Sequence, residues 1–427
     1  MTRDDCLEAD RNDPLAAHRQ QFVLPDDVLY LDGNSLGALP RATAAAVTRV
    51  IEQEWGARLI RAWNDAGWMD APRRVGAKIA KLIGALPHEV LCADSTSINL
   101  FKVLATALRL QADRPQVSMR ERRVILSERS NFPTDLYITQ GLADWLGGRY
   151  EIRLVEFSEI AAAIDDSVAV VLLTHVNYRT GAKHSLTPVT YRAQEAGSLM
   201  IWDLAHSAGA VPVDLNAARA DFAVGCGYKY LNGGPGAPAF LYVADRHQKA
   251  MVELRFVQPL SGWMGHRAPF DFASTYEPAR DIDRYGVGTP SILALAALEC
   301  GVDTLLAAGM EAVRAKSVRL TELFLRLVEE RCAGHGLDLV TPRDASYRGS
   351  QVCLAHEHAW PVMQALIARG LIGDFRESRE GPGILRFGFA PLYLRFVDVW
   401  DAVEALRDVL STRAWDKPEF QQRKRVT

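Results

Sequence analysis

Between residues 123 and 244, short apolar runs alternate with polar or helical segments. The runs are rich in β-branched and aliphatic side chains, and in chain order they read RVILSE, AVVLLTHV, LMIWDLAH, FAVGCGYKYL and AFLYVA. Strands that alternate with helices form βαβ units, which assemble into a sheet with helices on both faces. The pattern therefore predicts an α/β fold whose large domain contains a mostly parallel, doubly wound sheet.

A second, smaller domain is expected after this region. Apolar positions recur at helical spacing over residues 41–63, 97–110, 291–307 and 310–332. The later strings GSQVCLAH and GILRFGFAPLY read as strands, with helical patterns at 360–368 and 397–410, which is typical of an α+β module. A chain of 427 residues is long enough for such a division. The expected parts are an N-terminal segment packed with the small domain (1–45), the large domain (46–308), the small C-terminal domain (309–415) and a frayed polar tail (416–427).

The composition of the chain argues against large charged partners. The 49 basic and 52 acidic side chains leave a net charge of -3, so a small-molecule substrate is expected rather than nucleic acid or a membrane surface. The six cysteines include no C-x-x-C pair, which fits a reducing cytosol without a zinc site or a disulfide framework. The first residues do not resemble a signal peptide, and no apolar run approaches the ~20 residues of a spanning helix. We therefore expect a cytoplasmic enzyme without a metal.

An acidic residue at the end of a predicted strand is a candidate cofactor ligand. In LMIWDLAHSAGAVPVD, Asp203 should emerge at the carboxyl edge of the sheet, where open α/β sheets bind ligands. A carboxylate there can pair with the protonated ring nitrogen of pyridoxal phosphate, whose protonation makes the ring an electron sink. His206 could orient this carboxylate or lie near the ring. Taken alone, the two residues also fit a helix cap and a buried histidine.

A lysine follows the next predicted strand. FAVGCGYKYLNGGPGAPAF places Lys229 beyond an apolar run and before a glycine-rich turn, where its amine could form a Schiff base with a cofactor over the sheet edge. Taken alone, such a lysine is usually solvated, and the glycines could serve only the turn. An acid after one strand and a lysine after the next, however, are the two contacts that pyridoxal phosphate most needs.

A polar segment before a predicted helix could anchor the phosphate. The string DSTS comes directly before the helix that runs through Leu110, so Ser95 and Thr96 offer hydroxyls beside unpaired backbone N–H groups at a positive helix end. A plain helix cap is the alternative, and both roles can coexist. The three features together predict a pyridoxal-phosphate site in the large domain.

Several strings along the chain resemble those of kynureninases. They are LDGNSLG (31–37), DSTSINLFK (94–102), NFPTD (131–135), THVNYRTG (174–181), WDLAHSAGAVPVDL, YKYLNGGPG and GWMGH (262–266). They span most of the chain in the family's order. The combination of GNSLG, FPTD, YKYLNGGPG and WMGH is specific to kynureninases within the fold-type I pyridoxal-phosphate enzymes, so the resemblance implies that fold.

The resemblance implies a set of cofactor-binding residues. It comprises Ser95, Thr96, Phe132, Pro133, Thr134, Asp135, Thr174, Asp203, His206, Tyr228, Lys229, Trp263 and Thr289. Phe132 would stack on the ring, Asp203 would pair with its nitrogen, and Tyr228 would touch the phosphate and assist proton transfer beside Lys229. The implied catalytic residues are therefore Lys229, Tyr228 and Asp203.

The resemblance also implies a homodimer and a substrate site. Trp263 and Thr289 would reach the phosphate from the neighbouring subunit, which places the active site at the subunit interface. Arg386 matches the family's binder of the substrate α-carboxylate, a task that suits the fork of guanidinium donors. Asn34 and Ser35 are implied substrate contacts. Trp63 and Trp68 could line the aromatic pocket, although core packing is the expected role.

The implied activity is hydrolysis of L-kynurenine, or of its 3-hydroxy form, to anthranilate or 3-hydroxyanthranilate and L-alanine, in tryptophan degradation or NAD-related metabolism. Another class V enzyme, such as a cysteine desulfurase or an aminotransferase, is the first alternative because the aspartate–lysine pair is shared. Desulfurases, however, typically have histidine before the lysine and a nucleophilic cysteine in a loop, whereas here Tyr228 precedes Lys229 and Cys353 lies in a predicted strand. A non-catalytic homologue that binds the cofactor is the second alternative. A zinc enzyme is disfavoured because the only close histidines, His356 and His358, are expected on a solvated turn.

Overall fold

The structure is a computed structural model that describes residues 1–113, 121–378 and 381–423. Its strands are β1 (Phe22–Val23), β2 (Leu29–Tyr30), β3 (Leu39–Pro40), β4 (Val90–Cys92), β5 (Val124–Glu128), β6 (Glu151–Val155), β7 (Val168–Thr174), β8 (Leu199–Asp203), β9 (Phe222–Gly225), β10 (Phe240–Val243), β11 (Asp338–Leu339), β12 (Gln351–His356), β13 (Leu371–Ile372), β14 (Asp374–Arg376) and β15 (Gly383–Gly388). Its α-helices are α1 (Arg3–Arg11), α2 (Arg41–Arg49), α3 (Ala62–Asp65), α4 (Ala71–Leu82), α5 (Thr96–Asp113), α6 (Pro133–Trp145), α7 (Ile160–Ala163), α8 (Leu186–Glu195), α9 (Asp245–Glu253), α10 (Ile292–Ala308), α11 (Met310–Arg331), α12 (Ala359–Ile367), α13 (Phe396–Ser411) and α14 (Pro418–Gln421).

A seven-stranded sheet forms the centre of the large domain. Its strand order is β4-β10-β9-β8-β7-β5-β6. The strands from β9 to β6 are parallel, and β10 runs antiparallel between β9 and β4. Every residue of β5, β7, β8 and β9 is buried, as expected for strands covered by helices on both faces. The predicted α/β fold with a mostly parallel sheet is confirmed.

The edge strand β6 was not among the apolar runs of the sequence. Its residues Glu151 and Arg153 interrupt the apolar pattern, and none of its side chains is fully buried. An edge strand needs less apolar character because one of its sides has no neighbouring strand. It pairs in parallel with β5 over five residues, from Val124 opposite Glu151 to Glu128 opposite Val155.

The C-terminal part contains a second sheet, of order β11-β12-β15-β14, whose neighbouring strands are antiparallel. Helices α12 and α13 pack with this sheet and contribute the buried residues Trp360, Phe396 and Trp400 to the apolar core. Strand β2 of the N-terminal segment pairs in parallel with β13, so the two ends of the chain meet in one small sheet. The four-part domain division remains a prediction.

Two expectations for local structure were wrong. Residues 41–63 do not form one helix: α2 leads into a π-helical segment at Val50–Gly56 and a 3-10 turn at Leu59–Arg61. Leu59 adopts a left-handed conformation with φ 54°, which an α-helix does not contain. The tail is not frayed as far as it is described. Phe420 packs against the apolar core, and the guanidinium of Arg423 lies 4.9 Å from the ring centroid of Trp360, a cation–π contact. Residues 424–427 lie outside the described residues.

No single helix in the described ranges is long and apolar enough to cross a membrane. The bent pair of α10 and α11 together has the length and the apolar composition of a membrane span.

Candidate active site

The carboxyl ends of neighbouring strands bring the predicted cofactor residues together. Thr174 is the last residue of β7 and lies opposite Asp203, the last residue of β8, which in turn lies opposite Val224 of β9. Lys229 follows β9 by one turn and is only 8% exposed. Its Nζ lies 2.9 Å from Nε2 of His206. The sheet therefore brings together the acid, the lysine and the histidine that were predicted from separate segments.

Two carboxyl groups share a hydrogen bond beneath this lysine. Asp135 and Asp203 are both buried, and burial raises the pKa of Asp203 while the nearby Lys229 ammonium opposes that shift. Burial raises the pKa of Asp135 well above its ordinary value, and the neighbouring charge of Asp203 adds to the effect. Asp135 is therefore the protonated partner that donates, and Asp203 is the acceptor that carries the negative charge.

Hydroxyl and amide groups hold this pair in place. The Thr174 hydroxyl donates to the side-chain oxygen of Asn131 and lies 3.4 Å from Oδ2 of Asp135. The same Asn131 oxygen accepts a hydrogen bond from the backbone N–H of Thr174 at 3.0 Å. Burial, together with the Lys229 charge, lowers the pKa of His206 well below its ordinary value, so its imidazole is neutral. A neutral ring nitrogen can accept a hydrogen bond from the lysine amine.

Phe132 lies over the lysine on the other side of the site. The Lys229 Nζ is 5.7 Å from the centroid of the Phe132 ring and 5.8 Å from that of Tyr228. Phe132 immediately precedes α6, whose first residues are Pro133, Thr134 and Asp135. Proline suits the first turn of a helix because its missing N–H would have no helical partner there. One helix start therefore presents the aromatic ring and the buried carboxyl together.

A cavity of about 810 Å³ lies beside Tyr228 at the start of α5. Among the residues that line it are Asp94, Ser95, Thr96, Tyr228 and Thr289. The Ser95 hydroxyl accepts from the backbone N–H of Ile98 at 3.4 Å, so this segment is a helix cap as well as a candidate phosphate site. The cavity brings Ser95, Thr96, Tyr228 and Thr289 together.

Trp263 and Thr289 differ in their placement. Thr289 lines the cavity of its own subunit, whereas Trp263 is 40% exposed and packs edge-on against Phe270 with 5.8 Å between ring centroids. Trp63 and Trp68 are half-buried and pack edge-on against each other at 5.5 Å, so neither is the core residue that was expected. The indole N–H of Trp68 donates to Glu54 instead, at 2.6 Å.

Arg386 is buried on β15 and is held from several segments. Its Nη1 donates to the carbonyl of Tyr178 at 2.8 Å, and its Nη2 donates to Ser35 Oγ at 2.7 Å and to the carboxylate of Asp374. The Asn34 side-chain amide donates its N–H to Asp32 Oδ1 at 3.2 Å, and its oxygen accepts a hydrogen bond from Nε of Arg386 at 3.0 Å. The three predicted substrate residues therefore form one cluster. The Tyr178 ring packs edge-on against Phe132 at 5.1 Å and connects this cluster to the lysine.

Several residues of the site were not predicted individually. Tyr178 and Asn131 lie inside the matched strings, but Asp374 carries no pattern that marks its role. Lys102 could have been found, because it is a lone charge in the otherwise apolar run INLFKVLATAL. Asp374 can be recognised as a partner of Arg386 only from the pairing of β14 with β15, which places the two residues opposite each other.

The geometry fits pyridoxal phosphate. A buried carboxylate beside a buried lysine can pair with a cationic ring nitrogen, which would offset the cost of desolvating Asp203. The hydroxyls and backbone N–H groups at the start of α5 suit a phosphate, and they line the cavity that Tyr228 also lines. Lys229, Asp203, Ser95 and Thr96 would hold the cofactor.

The residues of the rival chemistries are differently placed. Cys353 is fully buried in β12, and burial raises the pKa of its thiol to about 11, which disfavours a nucleophilic thiolate. His356 is also buried, contrary to expectation, and its Nε2 lies 3.1 Å from the carbonyl oxygen of His335. Within the described residues, no group of three or more histidine, cysteine or acidic side chains is arranged to hold a metal ion.

Known proteins resemble this chain in sequence and in fold. The class V aminotransferase model matches residues 29–359, and the kynureninase C-terminal domain model matches residues 313–406. Kynureninase of Burkholderia mallei (strain SAVP1) is 58% identical over 427 residues, and that of Pseudomonas fluorescens is 54% identical, each with 100% of both chains covered.

Solved structures with low sequence identity share the fold alone. The apo cysteine desulfurase of Thermococcus onnurineus NA1 has a TM-score of 0.78 at 18% identity, with 93% of this chain and 98% of that chain covered. The cysteine desulfurase CsdA of Escherichia coli has a TM-score of 0.74 at 19% identity, with the same coverage. Because the relatives above 50% identity span the whole chain and the class V model spans most of it, the chain belongs to the kynureninase family of class V aminotransferase-like proteins.

Proposed function

We propose that this protein hydrolyses L-kynurenine, with 3-hydroxy-L-kynurenine as a second candidate substrate. The observation that carries the proposal is the buried Lys229 between Asp203, Phe132 and His206, with Arg386 connected through Tyr178. The relatives named kynureninase at 54–58% identity support the same conclusion. The products would be anthranilate and L-alanine.

Each group of the chain has a role in this reaction. Bound pyridoxal phosphate supplies an electron sink for the negative charge that develops at the substrate α-carbon. Asp203 keeps the ring in its electron-poor form, and Asp135 donates to Asp203 and fixes its orientation. Lys229 takes the α-proton, and Tyr228, whose pKa is raised by burial, is a proton donor beside it. Arg386 binds the α-carboxylate, with Asn34 and Ser35 beside it.

The carbon–carbon bond is broken by water. Water adds to the γ-ketone of the substrate, and the Cβ–Cγ bond cleaves to release anthranilate with the oxygen of that water. The electron pair of the broken bond stays on Cβ, which then takes a proton to complete the methyl group of alanine, and the α-carbon regains a proton from Lys229. The reaction consumes one water for each pair of products.

Product analysis tests the proposed reaction. Protein loaded with pyridoxal phosphate should convert L-kynurenine into anthranilate and alanine in equal amounts. Lys229→Ala should lower turnover by at least about a thousandfold and remove the borohydride-reducible absorbance of the bound cofactor. Lys249→Ala, at an exposed lysine of α9, is the matched control and should behave like the wild type. Cofactor-loaded protein that forms neither product would contradict the proposal.

A paired comparison tests the substrate preference and the rival activities. Initial rates with L-kynurenine and with 3-hydroxy-L-kynurenine give kcat/KM for each, and both values should exceed that for cysteine desulfuration. Alanine formed from cysteine at a higher kcat/KM would favour a desulfurase. A cofactor spectrum that no amino acid changes would favour a non-catalytic binding protein.

We also propose that the protein acts as a homodimer in the cytoplasm, in tryptophan degradation or NAD-related metabolism. The loop that carries Trp263 exposes two further aromatic side chains, Phe270 at 58% and Phe272 at 81%. Exposed aromatic groups of this size commonly mark contact surfaces. A second copy of the chain on this loop would bring Trp263 and Thr289 to the neighbouring cavity.

A further inference from the structure

Lys102 is a fully buried lysine outside the catalytic group, on α5 next to the candidate phosphate site. Its side chain is 0% exposed. Its Nζ donates to the carboxylate of Asp94, to the Asn99 side-chain oxygen at 3.4 Å and to the carbonyl of Tyr285 at 2.7 Å. An ammonium group has three donors, so these partners use its full capacity. Burial lowers the pKa of Lys102, and Asp94 opposes that shift.

These contacts join two segments that line the cavity. Asp94 directly precedes Ser95 and Thr96 and adopts a left-handed conformation with φ 48°. Tyr285 directly precedes residues 286–291, which line the same cavity. The Tyr285 hydroxyl also lies 3.0 Å from Oγ1 of Thr106, so α5 holds this residue at two points.

The charge of Lys102 matters as much as its geometry. Asp94 lines the cavity in which the phosphate would lie, and a carboxylate beside a phosphate dianion repels it. Lys102 is the lysine paired with this carboxylate; its ammonium is fully buried while the Asp94 side chain is 30% exposed, so salt screens their interaction less than that of a surface pair. Without the ammonium, the Asp94 charge would repel the phosphate. The Asp94 carboxylate and the Tyr285 carbonyl would also lose the hydrogen bonds that Lys102 donates to them.

We propose that Lys102 is a positioning residue for the cofactor phosphate: it neutralises Asp94 and fixes the turn that presents Ser95 and Thr96. The inference rests on the proposed role of these two hydroxyl residues. It predicts selectivity, because a residue that acts on the phosphate should affect pyridoxal phosphate but not pyridoxal, which has the same ring and aldehyde and lacks the phosphate.

The test compares dissociation constants of the two ligands for apoprotein, measured by absorbance or by equilibrium dialysis. Lys102→Met should raise the Kd for pyridoxal phosphate by about tenfold or more, equivalent to ~1.4 kcal/mol, since the Asp94 charge that it leaves unpaired would repel the phosphate. The Kd for pyridoxal should change by less than about twofold, because pyridoxal has no phosphate for the substitution to act on. Equal weakening of both ligands, or no weakening of either, would overturn the proposal.

A matched control and a second variant keep the test decisive. Lys316→Met removes another buried lysine, which lies on α11 and forms an ion pair with Asp13 at 2.6 Å. It should lower stability without changing the ratio of the two dissociation constants. Lys102→Met combined with Asp94→Asn removes both members of the ion pair, so it should fold if the single variant does not, and it should show the same selectivity with a smaller loss.

A separate arm identifies which assumption fails. Ser95→Ala and Thr96→Ala should also weaken pyridoxal phosphate more than pyridoxal. If they do and Lys102→Met does not, the inference about Lys102 is wrong and the phosphate site is right. If neither change is selective, the phosphate site itself is wrong.

Discussion

The guanidinium of Arg386 donates hydrogen bonds to groups from three parts of the chain. Asn34 and Ser35 come from the N-terminal segment, Tyr178 follows β7, and Asp374 belongs to the neighbouring strand β14. Such a set fixes the plane of the guanidinium and uses four of its five N–H donors, so a bound carboxylate would replace one of these partners. The nearby Arg376 shares Asp374 at 2.7 Å but is partly exposed.

Exchange of arginine for lysine tests this role. We expect Arg386→Lys to raise KM for L-kynurenine by about thirtyfold, equivalent to ~2 kcal/mol, because lysine cannot reproduce the fork of donors. The value of kcat should fall less. Arg376→Lys, which keeps its charge near Asp374, is the matched control and should change KM by less than about threefold. Steady-state kinetics give both values, and equal effects of the two changes would count against Arg386 as the carboxylate binder.

The carboxyl group of Asp32 predicts a pH-dependent stability. Burial and the neighbouring Asp374 raise the pKa of Asp32 to about 7, although Arg386, Ser35 and Arg376 oppose the shift. The unfolded chain loses this proton near the ordinary value of 3.8, so between pH 4 and 7 the folded protein binds more protons. The free energy of unfolding attributable to Asp32 therefore falls as the pH rises through this window.

Asp32→Asn should remove this dependence, because asparagine cannot ionise. We expect the free energy of unfolding of the variant minus that of the wild type to be larger at pH 8 than at pH 5, by about 1 kcal/mol or more. Denaturant unfolding of the cofactor-loaded proteins at the two pH values measures the difference. A difference that is the same at both values would show that Asp32 does not retain its proton in the folded protein.

At the scale of elements, the turn that carries Lys229 packs tightly against the N-terminal segment. The N–H of Gly37 donates to the carbonyl of Tyr228 at 2.8 Å. A Cβ atom at Gly37 would lie 2.3 Å from the carbonyl oxygen of Lys229 and 2.6 Å from Cα of Asn232, both of which are backbone atoms. Only glycine allows this approach, so Gly37 helps to set the position of the lysine.

Gly37→Ala should therefore destabilise the protein by about 1–3 kcal/mol, the usual cost of overpacking, and weaken cofactor binding. Gly141→Ala on α6 is the control, because no atom lies within 4 Å of a Cβ there; it should be neutral or stabilise by up to ~1 kcal/mol. Thermal unfolding and the Kd for pyridoxal phosphate measure both effects. An unchanged Kd in a folded Gly37→Ala protein would mean that the turn holds the lysine without this contact.

The sequence predicted elements with strong local patterns and missed those that depend on distant partners. The strands β5, β7 and β8 were recognisable because burial on both faces demands continuous apolar runs. Helical spacing of apolar residues found α10 and α11 to within one residue of their bounds and α5 to within three. It missed the π-helical segment after α2 and the break at the left-handed Leu59, because the apolar spacing stays helical across both.

The predictability of the site follows the same division. Asp203 and Lys229 could be inferred because each follows a strand, and the carboxyl ends of parallel strands share one edge. The partners of Arg386 could not, since Ser35 and Tyr178 lie 351 and 208 positions away along the chain. The predicted roles of Tyr228, Trp263 and Thr289 depend on the family resemblance and stay predictions.

At the scale of the whole molecule, the open question is which subunit supplies Thr289. It lines the cavity of its own chain, yet the family resemblance implies the neighbouring one. Hybrid dimers of Lys229→Ala and Thr289→Ala subunits separate the two cases. If Thr289 acts across the interface, each hybrid contains one site with both residues intact, and mixing should restore up to about half of the wild-type activity per hybrid dimer.

If Thr289 acts within its own subunit, every site of the hybrid keeps one defect. Mixing should then give no more activity than the Thr289→Ala protein contributes alone. Size-exclusion chromatography with light scattering provides the control that both variants still dimerise, and a monomeric wild type would contradict the shared site altogether.

The parallel pairing of β2 with β13 has a consequence for the order of events during synthesis. Ser35 leaves the ribosome early, whereas Arg386, its hydrogen-bond partner, is made near the end, so the cluster around Arg386, which we propose binds the substrate carboxylate, has a very high contact order. The lysine turn and the start of α5 emerge much earlier and can fold as part of the large sheet. We expect a nascent chain to become competent for cofactor capture before it becomes competent for substrate recognition.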